Sequence, residues 1–362
     1  MSAGVATAGP GAPRFGLGRT FVGPAFDLLL IGGGLTLPLV AWLVSSGVSA
    51  VGFLGASFPI LALLLNQAHF AASTVRLYTK PQTFRDLPFV TMVLPLLTLA
   101  TLSLFVLLAD QIGRHLWALY LSWSPFHYAA QAFGLASMYC ARSGCRLSEG
   151  ERRFLRWTCL MPFFKALLAG TPAGYGLGWL LPGSAIASRP LALLAFSWAE
   201  RGFSVLSFAM PLALFAWIAL RSGQRGGGAP RKAMPWISLA LVASNGIWWV
   251  LLPYLEAFLW ATLLHAIQYL AIVSVFHVSE RMSAPANRHG RLYHVATLYA
   301  LCVGLGYALF QCWPRVYVMA GLGMVESVLL VVAAINVHHF IVDAFIWRIR
   351  RDSGLRSVIA AS

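Results

Sequence analysis

Along most of this chain, polar residues are confined to short breaks between apolar runs that are too long for a water-soluble fold. Ala25 to Ser46, Val51 to Val75 and Leu87 to Ala109 each hold about 20 or more residues with few or no charges. An α-helix needs that length to cross a hydrocarbon core of about 30 Å. The pattern predicts spans at 25–46, 51–76, 87–109, 115–140, 154–181, 203–221, 235–253, 256–279, 293–313 and 318–347. Backbone polar groups in lipid must be satisfied within the segment, so the expected fold is all-α: a polytopic transmembrane helical bundle of about ten spans, eight at the fewest. Pro172, Gly174, Gly176 and Gly178 break the second half of the fifth run, and the segment from Pro182 to Glu200 reads as re-entrant or interfacial. Pro253 separates the seventh and eighth runs so closely that a tight hairpin is expected.

Composition sharpens this picture. Hydrophobic residues make up 59% of the 362 positions and charged residues only 10%, against roughly a quarter charged in an ordinary soluble domain. The formal net charge of +15 raises the question of nucleic acid, but no nucleic-acid-binding signature accompanies the basic residues, which fall between apolar runs. Their placement follows membrane topology instead. With the N-terminus cytoplasmic, 21 of the 26 Lys and Arg lie in inside segments, and only Arg114, Arg189, Arg201 and Arg315 lie outside, with Lys165 left within a span. That asymmetry predicts an even number of spans with both termini inside, in a bacterial inner membrane. The division expected is a cytoplasmic tail over 1–24, spans one to six over 25–221, a basic linker over 222–234, spans seven to ten over 235–347 and a second cytoplasmic tail over 348–362. The five cysteines form no C-x-x-C pair and read as small hydrophobes. The first apolar run is too long for a cleavable signal.

Against this apolar background the intramembrane histidines stand out. His69, His127, His265, His338 and His339 fall well within spans, where ionisable groups are costly and face a cavity or a partner. Gln131 is i+4 from His127, Tyr269 is i+4 from His265, Asp343 is i+4 from His339, and Asn66 is i−3 from His69. Residues three or four apart share a helix face. Each helix thus offers an imidazole with a second polar group beside it, as metal ligation and its supporting hydrogen bonds require. At 1.5 Å per residue, His69 lies ~10 Å before Arg76 and His339 ~13 Å before Arg348. Spans two, four, eight and ten are therefore expected to enclose one polar chamber in the cytoplasmic half. The bland alternative is that each histidine donates to a neighbouring helix carbonyl. His115, His277, His289 and His294 sit near membrane edges or loops and read as structural, while Glu326, part-way into span ten, needs a partner if it is buried, with Lys165 the candidate for an ion pair and a proton or ion path the alternative.

The spread of His69, His127, His265 and His338/His339 over several spans resembles the bacterial membrane beta-carotene dioxygenases of the Brp/Blh type, with no contiguous motif shared. That resemblance implies a non-haem iron site acting on a lipid-soluble substrate. His265 to Tyr269, an H-x-x-x-Y spacing, and the pair His338-His339 also resemble two pieces of the haem-copper oxidases, but the H-x-H pair for the haems is missing. No H-x-x-H cluster, D-x-x-x-D, G-x-S-x-G or Walker loop occurs in the spans.

The functional expectation is a membrane-embedded metal-dependent oxidoreductase. His69, His127, His265, His338 and His339 form the ligand pool, with Asp343 as ligand or its anchor; Gln131, Gln268 and Tyr269 orient ligands or substrate. Iron suits several neutral imidazoles plus one carboxylate, with haem or copper as alternatives. The expected partners are the lipid bilayer and a hydrophobic small molecule, with no nucleic acid. A transporter or channel, or a scaffold or haem-binding subunit with a membrane-protein partner, is the competing reading.

Overall fold

The computed structural model describes residues 16–80, 82–169, 189–221, 225–226, 229–230, 232–347 and 359. It is a helical bundle. Helices α1 (Pro24–Ile31) and α2 (Thr36–Ser46) meet at a 49° bend, followed by α3 (Gly52–Tyr78) and α4 (Phe89–Leu107). Next come α5 (Ala109–Arg142) and α6 (Glu149–Ala169), then α7 (Pro190–Arg221) and the shorter α8 (Trp236–Leu251). Helices α9 (Tyr254–Met282), α10 (Arg291–Met319) and α11 (Met324–Ile346) complete the described bundle. Six of these (α3, α4, α7, α9, α10 and α11) are long and apolar enough to cross a membrane, and the bent α1–α2 pair makes a seventh if counted as one span. The long apolar helices are consistent with an integral membrane protein. Leu96 and Leu107 on α4 and Leu191 and Leu212 on α7 point outward, where lipid replaces water as solvent. Helices α9 and α11 are buried most and form the centre. Among the described residues the β structure is one two-residue ladder, Arg225–Gly226 against Ala229–Pro230.

Backbone irregularities place the interior faces. A π-helical stretch, Ala62–Gln67, runs directly into the α-helical turn carrying His69; such bulges insert one residue and re-aim everything downstream. Pro125 lies inside α5, two residues before His127, and leaves the Leu121 carbonyl without its usual amide donor. The Tyr254 hydroxyl, at 3.4 Å, donates to that carbonyl instead. The bend between α1 and α2 depends on Gly33, whose φ of +78° suits glycine and whose missing Cβ would lie 2.3 Å from Ser244 Oγ.

The polypeptide before α1 is fixed by one carboxylate. Asp27 is fully buried. It accepts hydrogen bonds from the amides of Phe21 (2.6 Å), Val22 (2.9 Å) and Gly23 (3.0 Å) and from the Tyr139 hydroxyl (2.7 Å). This straps residues 16–23 over the ends of α5 and α8, where Trp236 N and Ile237 N donate to Gly16 O and Leu17 O.

Three expectations need correction. The sixth span does not start near 203: helix α7 begins at Pro190, since nothing between Pro190 and Pro211 breaks a helix and proline is favoured in the first turn. The interfacial reading of Pro182 to Glu200 therefore fails for its described part. The ninth helix runs on to Met319 and the tenth starts at Met324, with Gly321 at φ +102° between them. Glu326 is consequently exposed in the first turn of α11, where the helix dipole favours a carboxylate. Its candidate partner Lys165 instead pairs with Glu200 at 3.4 Å. The glycine-rich second half of span five (Pro172 to Gly178), most of the 222–234 linker and nearly all of both terminal tails lie outside the described residues.

Removing the Tyr139 hydroxyl (Tyr139→Phe) is expected to cost about 1 kcal/mol, whereas Asp27→Ala, which orphans three amides, costs about 3 kcal/mol. Thermal unfolding of both variants in mild detergent should show that order, and equal effects would count against Asp27 as the anchor.

Candidate metal centre

Four helices meet at four imidazoles. His69 of α3, His127 of α5, His265 of α9 and His339 of α11 are 1%, 8%, 6% and 1% exposed. The ring of His69 lies 4.8 Å from that of His265 and 4.5 Å from that of His339, centroid to centroid, and His127 lies 5.0 Å from each of the same two rings. Two overlapping triads result, one of His69, His127 and His265 and one of His127, His339 and Asp343, each with ligand atoms within 4.8 Å of one another. Ligands bound at about 2.1 Å stand at most about 4.2 Å apart, so closing either triad on an ion requires movement of only some tenths of an ångström.

The hydrogen bonds around His339 determine where its proton sits. Ser73 Oγ donates its single proton to Phe70 O at 3.0 Å. His339 Nδ1, 2.9 Å away, must therefore be the donor to Ser73, which leaves the His339 Nε2 lone pair facing the centre. That Nε2 is 3.3 Å from His127 Nε2 and 3.6 Å from Asp343 Oδ2. Asp343 Oδ2 lies 3.7 Å from His127 Nε2, while its other oxygen accepts the Tyr269 hydroxyl at 2.5 Å. Tyr269 also stands edge-on to His69, at 4.4 Å.

Both nitrogens of His69, and Nε2 of His265, are buried without a hydrogen-bond partner. Buried polar groups in native structures are nearly always bonded, and leaving one unmade costs about 1–3 kcal/mol. One nitrogen of His69 and Nε2 of His265 lie close enough to a His127 nitrogen to hold a cation between them, and the imidazole-plus-carboxylate donor set suits a first-row transition metal.

The structure separates the other candidates. His338 faces away from the centre: its Nδ1 is 2.8 Å from Thr98 Oγ1 on α4, because adjacent helix positions diverge by roughly 100°. It is not one of the converging imidazoles. Gln131 does not reach an imidazole ring; its Nε2 is 3.4 Å from both His265 O and Gln268 Oε1, tying α5 to α9. Asn66 lies in the π-helical stretch, and its Oδ1 is buried without a partner. Ser73 was missed by sequence reasoning, though its i+4 spacing from His69 was a usable signal. His289 stacks on Tyr293 at 4.0 Å and His294 bonds Asn287 Oδ1 at 2.8 Å, which are structural contacts.

Two cavities adjoin the centre from different sides. One of about 640 Å³ runs along α5 and α11 and is lined by His127, Gln131, Tyr269 and Asp343 together with Trp123, Phe126, Phe133, Met138, Phe340 and Trp347. A second, of about 20 Å³, lies behind His265 among Thr36, Tyr128, Ser244, Asn245 and Gln268. Comparison of the chain with family models, curated proteins and solved structures finds no match.

Helix α10 holds the His69 turn through a close approach. A Cβ on Gly306 would lie 2.8 Å from Gln67 O and 3.1 Å from Ala68 N, whereas one on Gly304 meets nothing within 4 Å. Gly306→Ala is expected to destabilise by about 1–3 kcal/mol, while Gly304→Ala is neutral or gains about 0.5–1 kcal/mol from helix propensity. Thermal melts of the pair test the contact; similar melts for both would refute it.

Proposed function

We propose that the chain is a membrane-embedded, metal-dependent oxidoreductase that holds non-haem iron and acts on a lipophilic substrate. The observation that carries the reading is the convergence of His69, His127, His265 and His339 in the bundle interior, with unpartnered nitrogens on His69 and His265. Iron bound by these imidazoles would supply dioxygen binding and activation, since such a donor set leaves coordination positions open. Asp343 places a carboxylate beside His127 and His339 and takes the Tyr269 hydroxyl proton in a hydrogen bond. Ser73 holds the His339 tautomer. The apolar walls of the larger cavity would exclude water and admit a hydrophobic molecule to the His127–Asp343 side.

Around this centre we propose ten crossings with both termini cytoplasmic, in a bacterial inner membrane, as the distribution of Lys and Arg supports. In that arrangement α5, α6 and α8 cross as well. The transporter reading loses one of its supports, because Glu326 is exposed at the start of α11 and not buried within a pathway.

The test is metal analysis of the full-length protein purified in mild detergent from cells grown with adequate iron, combined with an optical spectrum. Stoichiometric iron without a Soret band is the expected result. A Soret band or stoichiometric copper would replace iron by one of the alternatives, and no transition metal at all would sink the proposal. His339→Ala should lower metal content at least about tenfold and Ser73→Ala somewhat less, on the scale of ligand-supporting contacts. His338→Ala should retain the metal.

A further inference from the structure

The larger cavity has a shape and polarity that the metal centre alone does not explain. Its wall on α5 extends from Trp123 to Met138, about 22 Å of helix. His127 sits near one end of that wall and Arg152 at the other. His127 is about 6 Å from Trp123 along the helix axis, but about 16 Å from Met138. A ligand filling the cavity therefore meets the centre close to its Trp123 end and not at its middle.

The two ends also differ in chemistry. The Trp123 end is walled by Trp123, Phe126 and Phe340 beside His127. The other end carries Arg152, exposed and set over the Phe133 ring at 5.8 Å. Neighbouring carboxylates are engaged elsewhere: Glu149 pairs with Arg153, and Glu151 accepts the Ser148 amide at 2.7 Å. Among the described residues none pairs with Arg152, which leaves its guanidinium facing that end of the cavity as the one cationic group lining it. Between the ends, Gln131 Oε1 and Ser137 Oγ line the same space, buried and without hydrogen-bond partners. The side wall is low where Ala130 and Ala344 are exposed between α5 and α11, giving an opening from lipid.

We infer that the cavity binds a single-chain lipid with an anionic head, a long-chain carboxylate, its head at Arg152 and its chain laid along α5 past His127. The inference rests on the proposed function for what happens to that chain, but not for whether it binds. Under that function, the carbons presented to the centre are chosen by their distance from the head, so the reaction falls well down the chain and towards its tail.

The substitution that tests this is Gly134→Leu. Gly134 lines the cavity, and a Cβ built on it meets nothing within 4 Å. A leucine there starts from an unobstructed Cβ, narrows the cavity beside Phe133 and Met138, and gains helix propensity over glycine. The measurement is titration of the full-length protein in nanodiscs with a fluorescent conjugated polyene fatty acid and with its alcohol. Wild type should bind the acid saturably. Arg152→Gln should weaken the acid about fivefold, the scale of one partly exposed ion pair, and leave the alcohol within about twofold on the same scale. Gly134→Leu should lose both ligands while melting no lower than wild type. Stripping metal with a chelator should leave acid binding in place, so a failed iron analysis and a failed lipid titration are separate results. No saturable binding by wild type, an unchanged acid affinity in Arg152→Gln, or full binding by a folded Gly134→Leu would overturn the inference.

Discussion

Every polar group that this bundle carries into an apolar interior has to find its partner within the protein, and most of its internal organisation follows from that requirement. The carbonyl freed by Pro125 is taken by Tyr254. Tyr128 donates to Thr262, which in turn donates to Phe258 O. Asn245 bonds Cys159 O at 2.9 Å, joining α8 to α6. Buried Arg76 pairs with Glu280 at 3.1 Å and lies against the rings of Phe276 and Trp347. The exceptions are scattered, among them Asn66 Oδ1, Arg76 Nη1 and Trp260 Nε1, apart from the nitrogens of His69 and His265, whose rings stand 4.8 Å apart. A cation between these two rings would take one nitrogen from each.

Besides π-helical stretches elsewhere, at Asp27–Ile31, Phe89–Val93 and Ala308–Cys312, the backbone is irregular next to two of the imidazoles. A regular α3 would carry Asn66, His69 and Ser73 in one fixed stripe. The π-helical stretch instead re-aims His69 and Ser73 together, so that one reaches the centre and the other reaches the His339 ring. Proline in α5 loosens the turn before His127, and glycine in α10 lets a neighbouring helix press on the turn before His69. Each of these latter distortions lies within a residue or two of a converging imidazole or against the turn that bears it.

Much of this was legible in the sequence, because helical periodicity converts spacing into shared faces. His339 with Asp343 and His265 with Tyr269 share faces as their i+4 spacing requires, and the four helices expected to meet do meet. Longer-range pairing was not legible. Nothing in the spacing joins Tyr269 to Asp343 across two helices, or chooses between His338 and His339, which differ only by one step of rotation. Glu326 misled because a carboxylate inside an apolar run looks buried until the break at Gly321 is known, and a single glycine does not announce a break. The extent of α7 was hidden for the opposite reason. Glu200 and Arg201 resemble a loop in a hydropathy scan, yet Glu200 is the partner of Lys165 from the adjoining helix.

The two cavities give the centre two unlike faces. On one side an apolar space of about 640 Å³ reaches His127 and Asp343. On the other a polar pocket of about 20 Å³ touches His265, room for about one water-sized molecule. His69 and His339 line neither space; the linings meet where His127 stands 5.0 Å from His265 and Gln131 bonds Gln268. A long apolar molecule fits only the larger of these spaces, and a water-sized one fits the smaller. The imidazoles outside both spaces are closely packed: His339 bonds Ser73, and His69 is enclosed by Tyr269, Phe70 and the other imidazole rings. Close packing thus surrounds His69 and His339, while open space adjoins His127 and His265.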